Sequence, residues 1–254
     1  MKYLIDISDA RNMILKQLLI KDGEQVLDFN EDNLKNLNSG DSLIFSPAKK
    51  FDKEFLESLP NNIKLICGNL TDESKQIISE KQIFHQNLME DEIFSVKNAN
   101  LTAEGIIAKI LELSPKSIYE NNVLILGGGR IAIALSVLLA KLGVKFSIVS
   151  FNNIKFPRYY LYTNICFYKK QYLNEIQNYD VIVNTIPAKI FEDEEIKKIK
   201  EDTLFLETAS LNCLDENKAN HFVYLKCPAL PSKYCLVSAG RLMYEAIKGE
   251  NIYD

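Results

Sequence analysis

The stretch Val123-Leu124-Ile125-Leu126-Gly127-Gly128-Gly129-Arg130-Ile131-Ala132 decides how this chain folds. Its four consecutive apolar residues read as a strand buried on both faces, as in a parallel sheet. They run into G-x-G-x-x-A and then into an apolar stripe at Leu135, Leu138, Leu139 and Leu142, which has helical spacing. Gly127 suits a tight turn, Gly129 keeps any side chain away from the helix N-terminus, and Ala132 allows the helix to pack closely on the strand. Free N–H groups and the positive end of the helix dipole then face an anion such as the pyrophosphate of a dinucleotide. A new strand at Phe146-Ser147-Ile148-Val149 completes the strand, turn, helix and strand context that the motif requires. A purely structural turn is the alternative.

The end of that second strand bears on the choice of dinucleotide, because a carboxylate about 20 residues beyond the glycines is what usually holds the ribose 2′-OH of NAD. Here the strand ends in Ser150-Phe151-Asn152-Asn153, with Lys155 and Arg158 following. A 2′-phosphate would meet hydroxyl, amide and cationic donors, so NADP is expected, with NAD as the alternative. Further strands end in Asn184-Thr185-Ile186-Pro187 and in Glu207-Thr208-Ala209-Ser210, and polar groups at the carboxyl ends of parallel strands line the crevice where such folds bind ligands. The expected cofactor-binding set is Gly127, Gly129, Arg130, Ile131, Ser150, Asn152, Asn184, Thr185, Ile186, Pro187 and Ala209.

Outward from this core, residues 1–98 alternate apolar runs (Tyr3-Leu4-Ile5, Ser42-Leu43-Ile44-Phe45, Ile63-Lys64-Leu65-Ile66-Cys67) with helical stretches. One stretch places Met13, Leu15, Leu18 and Leu19 along one side, and another runs from Phe51 to Leu59. The expected fold class is α/β with two domains. A smaller flavodoxin-like N-terminal domain, 1–98, is joined by a connecting helix, 99–118, to a Rossmann-type doubly wound parallel sheet, 119–240. A C-terminal helix, 241–254, would pack back on the first domain.

The composition narrows the function classes. In 254 residues, 47% are hydrophobic and 25% charged, and the net charge is -4, with lysines spread among acids, which offers no field for nucleic acid. No apolar run reaches the roughly 18 residues of a membrane span, and Asp6 interrupts the N-terminus too early for a secretory core. No membrane association and a cytoplasmic location are expected. The five cysteines form no C-x-x-C pair, and His85 and His221 stand apart, so no metal site is expected.

Five segments resemble the A-subunit family of dipicolinate synthase: Leu101-Thr102-Ala103-Glu104-Gly105, the Leu126 to Arg130 turn, Tyr179 to Pro187, Glu207-Thr208-Ala209-Ser210, and Pro228-Ala229-Leu230-Pro231-Ser232-Lys233 through Gly240. Ser8-Asp9-Ala10-Arg11 is similar to the family's Gly-Asp-Ala-Arg segment. The resemblance implies two domains arranged as in the hydroxyacid dehydrogenases, with NADP(H) as cofactor. It also implies oxidation of a dihydro- or tetrahydrodipicolinate-type precursor to dipicolinate, on a sporulation branch of the lysine pathway. The expected partners are a homo-oligomer and the flavoprotein-like second component of dipicolinate synthase, its B-subunit. Ser8, Leu211-Asn212-Cys213, Ala229 and Ser232 replace family glycines and put side chains into these loops.

A dicarboxylate substrate calls for cationic donors, and a guanidinium is the best bidentate partner. Arg11 follows the first strand and is a candidate carboxylate ligand, with an internal ion pair as the alternative. Lys233 is a candidate for carboxylate binding or proton transfer, and Glu104 for a general base, unless it serves only the first turn of a helix. Ser46 either touches substrate or caps the Phe51 helix. Fold and cofactor loop leave two other readings open: a shikimate- or hydroxyacid-type dehydrogenase on another small carboxylate, and a dinucleotide sensor without turnover.

Overall fold

The computed structural model describes residues 1–152, 156–163 and 165–249. Lys155 and Asn153, read above as part of the ribose loop, lie outside them, as do residues 250–254. The chain divides into two compact units, one of Met1–Asn98 with the segment from Cys235, the other Ala99–Tyr234.

The first unit alternates β1 (Lys2–Ile5), α1 (Ala10–Lys21), β2 (Gln25–Asp28), α2 (Glu31–Lys35), β3 (Ser42–Ile44), α3 (Lys53–Ser58), β4 (Lys64–Cys67), α4 (Asp72–Glu80) and β5 (Phe84–Asn87). Its strands are all parallel in the order β2-β1-β3-β4-β5, the flavodoxin-like arrangement. Asp9, Asn30, Asp52 and Thr71 each cap the helix that follows by accepting a backbone N–H, which fixes where α1 to α4 begin. Leu4, Leu43, Leu56, Leu65 and Ile78 anchor the core on one face of this sheet.

The chain leaves this unit along α5 (Glu92–Leu113) and builds β6 (Asn122–Leu126), α6 (Arg130–Leu142), β7 (Lys145–Ser150), β8 (Cys166–Tyr168), β9 (Val181–Asn184), α7 (Asp193–Ile196), β10 (Leu204–Glu207), β11 (Val223–Lys226) and α8 (Leu230–Tyr234). The sheet order β11-β10-β9-β6-β7-β8 is the doubly wound one, with all strands parallel. Alternate residues of the same strands feed two cores: Val123, Ile125, Val181 and Val183 pack on one face with Ala103 and Ile110 of α5, and Leu124, Leu126, Ile182 and Phe205 on the other. That is why these strands read as unbroken apolar runs. Gly105 lets α5 lie against α8, since a Cβ there would stand 2.8 Å from Leu230 Cβ. The chain ends in α9 (Leu236–Lys248), which packs on α1, with Gly240 admitting Ile14 and Lys248 Nζ 2.7 Å from Glu24.

Several expectations need correction. The connecting helix starts at Glu92 and ends at Leu113, so it is not confined to 99–118, and Glu104 lies past its middle, outside any first turn. The last helix starts at Leu236, ahead of 241, so the second unit closes at Tyr234 and not at 240. Met13 is exposed, and Arg11 and Asn12 take the buried face of α1 in its place. The Pro-rich run of Lys233 forms α8. Asp52, not Ser46, caps α3.

Candidate functional site

The second unit brings the glycine run to the carboxyl edge of its sheet, and the three glycines stand there for three different reasons. Gly127 has φ +120°, a region side chains avoid, and a Cβ on it would fall on Thr185 Oγ1. Its N–H donates to the Val149 carbonyl at 3.0 Å, and the Thr185 N–H and Oγ1 both donate to the Leu126 carbonyl at 2.9 Å. The turn is thus clamped to β7 on one side and to the loop after β9 on the other. Gly128 makes room for Tyr159, whose buried hydroxyl donates to the Gly128 carbonyl at 2.8 Å. Burial raises the Tyr159 pKa, which keeps that donor protonated.

Gly129 is different. Its backbone is extended, with φ -86° and ψ -171°, and a Cβ there would meet nothing within 4 Å. Among the described residues nothing demands glycine at this position. It is the N-cap of α6, and as a glycine it offers no side-chain cap to that helix. An uncapped thirteen-residue helix opening onto free space behind a clamped strand turn has the chemistry of an anion site. A dinucleotide diphosphate fits it. Arg130 and Ile131 are the first two residues of the helix, exposed and half-buried.

The other expected cofactor residues gather on the same edge, though not all as binding groups. Ser150 ends β7, is 1% exposed, and donates to the Asn152 carbonyl at 3.1 Å while accepting the Asn152 N–H at 3.2 Å. It shapes the ribose loop from inside, whereas Asn152 and Arg158 are exposed. Asn184 is fully buried: its Oδ1 accepts the Ile186 N–H at 3.1 Å and its Nδ2 donates to the Ile186 carbonyl at 2.9 Å, so it staples the loop and leaves Thr185 and Ile186 half-buried and Pro187 exposed.

Two residues of this edge have roles that the sequence did not assign. One is Tyr159. The other is Glu207, 2% exposed at the end of β10. Its Oε1 accepts from Asn184 Nδ2 at 2.7 Å and from the Ala209 N–H at 3.1 Å, and its Oε2 accepts from the Cys213 N–H at 2.9 Å and the Tyr224 hydroxyl at 3.4 Å. A carboxylate held by four neutral donors ties together the loops after β9 and β10 and strand β11. Burial first and the Glu207 charge second raise the Tyr224 and Cys213 pKa values, so both stay protonated beside it. Glu104 and Lys233 are exposed on α5 and α8, and Lys233 has no ion-pair partner among the described residues.

In the first unit, Arg11 is 6% exposed and is turned onto its own loop. Nη2 and Nε bind Asp9 at 2.6 Å and 3.0 Å, and Nη2 reaches Ser46 Oγ at 3.2 Å. The internal ion pair is therefore what the structure places at this residue. Burial pulls the Asp9 carboxyl upward, but the hydrogen bonds and charge of Arg11 outweigh it and hold the group at about 2. Cys67 Sγ lies 3.3 Å from His85 Nε2, yet burial pushes the thiol up to about 12, so it is no nucleophile. Among the described residues no group of three or more His, Cys, Asp or Glu is placed to hold a metal ion, and no helix is long and apolar enough to cross a membrane.

Two parallel sheets in these orders, with the glycine turn at the edge of the second, give a fold that is also found in solved dehydrogenases. A D-lactate dehydrogenase from Treponema pallidum has a TM-score of 0.61 and 12% identity, over 98% of this chain and 95% of that one. NAD-dependent formate dehydrogenase from Staphylococcus aureus, solved in complex with NAD, has a TM-score of 0.57 and 15% identity, over 98% and 94%. More particularly, the fold is that of the dipicolinate synthase A-subunit. The Bacillus halodurans protein superposes with a TM-score of 0.84 at 20% identity, over 98% of this chain and 96% of that one, and the Bacillus subtilis protein with 0.80 at 18%, over 98% and 95%. In sequence, the dipicolinate synthase A-subunit of Bacillus subtilis (strain 168) is 22% identical over 170 residues, 66% of this chain and 57% of that protein. Mitochondrial dihydrolipoyl dehydrogenase of Dictyostelium discoideum is 28% identical over 130 residues, half of this chain and a quarter of that protein. The chain thus matches little more than half the length of the first of these curated relatives. No family model matches. The resemblance to the dipicolinate synthase A-subunit carried by the five segments holds in sequence and in fold.

Proposed function

We propose that this chain is a divergent dipicolinate synthase A-subunit, the NADP-linked oxidoreductase component that oxidises a dihydro- or tetrahydrodipicolinate-type precursor to dipicolinate. The observation that carries the reading is Gly129: a glycine that neither backbone nor packing requires, at the uncapped start of α6. The first-turn N–H groups of α6, with Arg130 and Ile131, hold the diphosphate. Asn152 and Arg158 take the 2′-phosphate side. Thr185, Ile186, Pro187 and Ala209 form the wall on the nicotinamide side, kept in place by Asn184 and Glu207. When bound, the nicotinamide supplies the hydride acceptor, and the protein supplies position and charge complementarity. Of the substrate-side candidates Arg11, Glu104 and Lys233, Lys233 is the one with an exposed cation that has no ion-pair partner among the described residues. A small dicarboxylate ligand, a homo-oligomer, the flavoprotein-like B-subunit and a cytoplasmic, sporulation-linked role belong to the same proposal.

The test is calorimetry with NADPH and NADH, followed by turnover of an enzymatically generated precursor with and without a flavoprotein partner. The expected results are heat from both nucleotides, larger affinity for NADPH, and release of dipicolinate. Absence of heat from either nucleotide removes the reading, and binding without turnover replaces it with a dinucleotide sensor.

A further inference from the structure

We propose that the first unit carries a second binding site of its own, for a flat aromatic carboxylate, in the cavity between α2 and α3. The cavity measures about 600 Å³, within the size range of small-ligand sites. Its floor is Phe45, 1% exposed, and its walls are the half-buried rings of Phe29, Phe51 and Phe55. Phe51 and Phe55 stack with centroids 5.4 Å apart and an interplanar angle of 13°, and both stand edge-on to Phe45, at 5.1 Å and 5.7 Å. Phe29 closes the other side at 5.1 Å from Phe45 and 6.1 Å from Phe55.

Two short helices, five residues in α2 and six in α3, flank the cavity. Four rings that converge there present faces and edges to the cavity, and a planar guest meets them in the geometries that aromatic pairs prefer. The charge at the site selects the guest's sign. Lys49 Nζ stands 5.6 Å from the centroid of the Phe45 floor and has no carboxylate partner among the described residues, and Lys35 and Lys50 also line the cavity. Of the acids on the rim, Asp52 is engaged in capping α3, with the Phe55 N–H at 2.8 Å, while Glu31 and Glu54 sit in the first turns of α2 and α3, where helix dipoles favour them. The lining carries as many acids as lysines, but the charge that stands over the aromatic floor is the Lys49 ammonium, and a ring bearing a carboxylate satisfies both the rings and that ammonium. The site lies inside one unit and involves no nucleotide, so it stands or falls separately from the dinucleotide reading.

The probe is naphthalene-2-carboxylate, titrated into the full chain by calorimetry and followed by NMR on ring-labelled phenylalanines, with 2-naphthalenemethanol and cyclohexanecarboxylate as controls. The expected result is binding that shifts the Phe51 and Phe55 ring signals, with each control weaker by about fivefold or more. Lys49→Gln should weaken the probe about tenfold, and Phe55→Leu, which keeps apolar volume but removes the ring, about fivefold. Both variants should keep the circular dichroism spectrum of the parent. Unshifted rings at millimolar probe, or unchanged affinity in both variants, overturns the site. Equal affinity for the alcohol overturns the carboxylate assignment.

Discussion

Each unit turns from its first strand into the helix that follows, and the two turns treat a negative charge in opposite ways. After β1, Asp9 caps α1 with its own carboxylate, and Arg11 grips that carboxylate from the second position of the helix. After β6, Gly129 gives α6 no side-chain cap, and no atom of the described residues lies within 4 Å of where its Cβ would stand. One helix terminus carries its anion covalently, and the other leaves the position for a ligand. The same α/β topology therefore yields a closed structural joint or an open helix terminus suited to an anion, according to one residue type at the N-cap.

The largest effect expected from this comparison comes from converting the second turn into the first. Gly129→Asp places a carboxylate where the diphosphate would lie, in a backbone conformation any residue adopts. NADPH binding should fall by about 100-fold or more, while a better cap leaves stability equal or a few tenths of a kcal/mol higher. Calorimetry beside a melting curve measures both, and retained binding breaks the comparison. Next in size, Glu207→Gln sets an amide N–H₂ among groups that all donate, so it should cost about 2 kcal/mol in a urea titration. A smaller effect belongs to the first turn. Asp9 titrates near 3.8 when unfolded and at about 2 when folded. Its lowered folded pKa means that the stabilisation is complete above the unfolded value and is lost as pH falls towards 2. Asp9→Asn should remove about 1 kcal/mol at neutral pH, a figure discounted for solvent screening, and should flatten part of the acid limb of the stability curve. The smallest effect sharpens the part that rests on glycine. Ala229 holds φ +54° where the resembling family has glycine, so Ala229→Gly should raise stability by about 0.5–1 kcal/mol in a thermal melt.

Central strands were legible from the amino acids because both of their faces are covered: Val123 to Leu126 and Val181 to Val183 contain no polar gap. Of the four edge strands only β11 was, through Val223-Tyr224-Leu225. β2 reads Gln-Val-Leu-Asp, β5 Phe-His-Gln-Asn and β8 Cys-Phe-Tyr, each short and half-exposed, with no pattern to set them apart from loop. The onset of α5 was missed because residues 92–100 carry polar groups among their apolar ones, while the apolar stripe is plainest from Ala103 onward. At the site, the glycine turn announced itself because its parts are contiguous. Tyr159 meets Gly128 from 31 residues away and Glu207 meets Asn184 from 23, and no local pattern marks such pairs. Arg11 was found as a special arginine, but its partner two residues earlier decides its role, and geometry rather than spacing shows that the pair closes on itself.

The docking of α9 on α1 has a consequence for biogenesis. Residues 1–98 leave the ribosome before the second unit, yet the helix that covers Ile14 and pairs Lys248 with Glu24 is translated after that unit. The unit built on residues 1–98 is thus completed only after the second unit has been synthesised, and until then one side of α1 waits uncovered for α9 or for a chaperone.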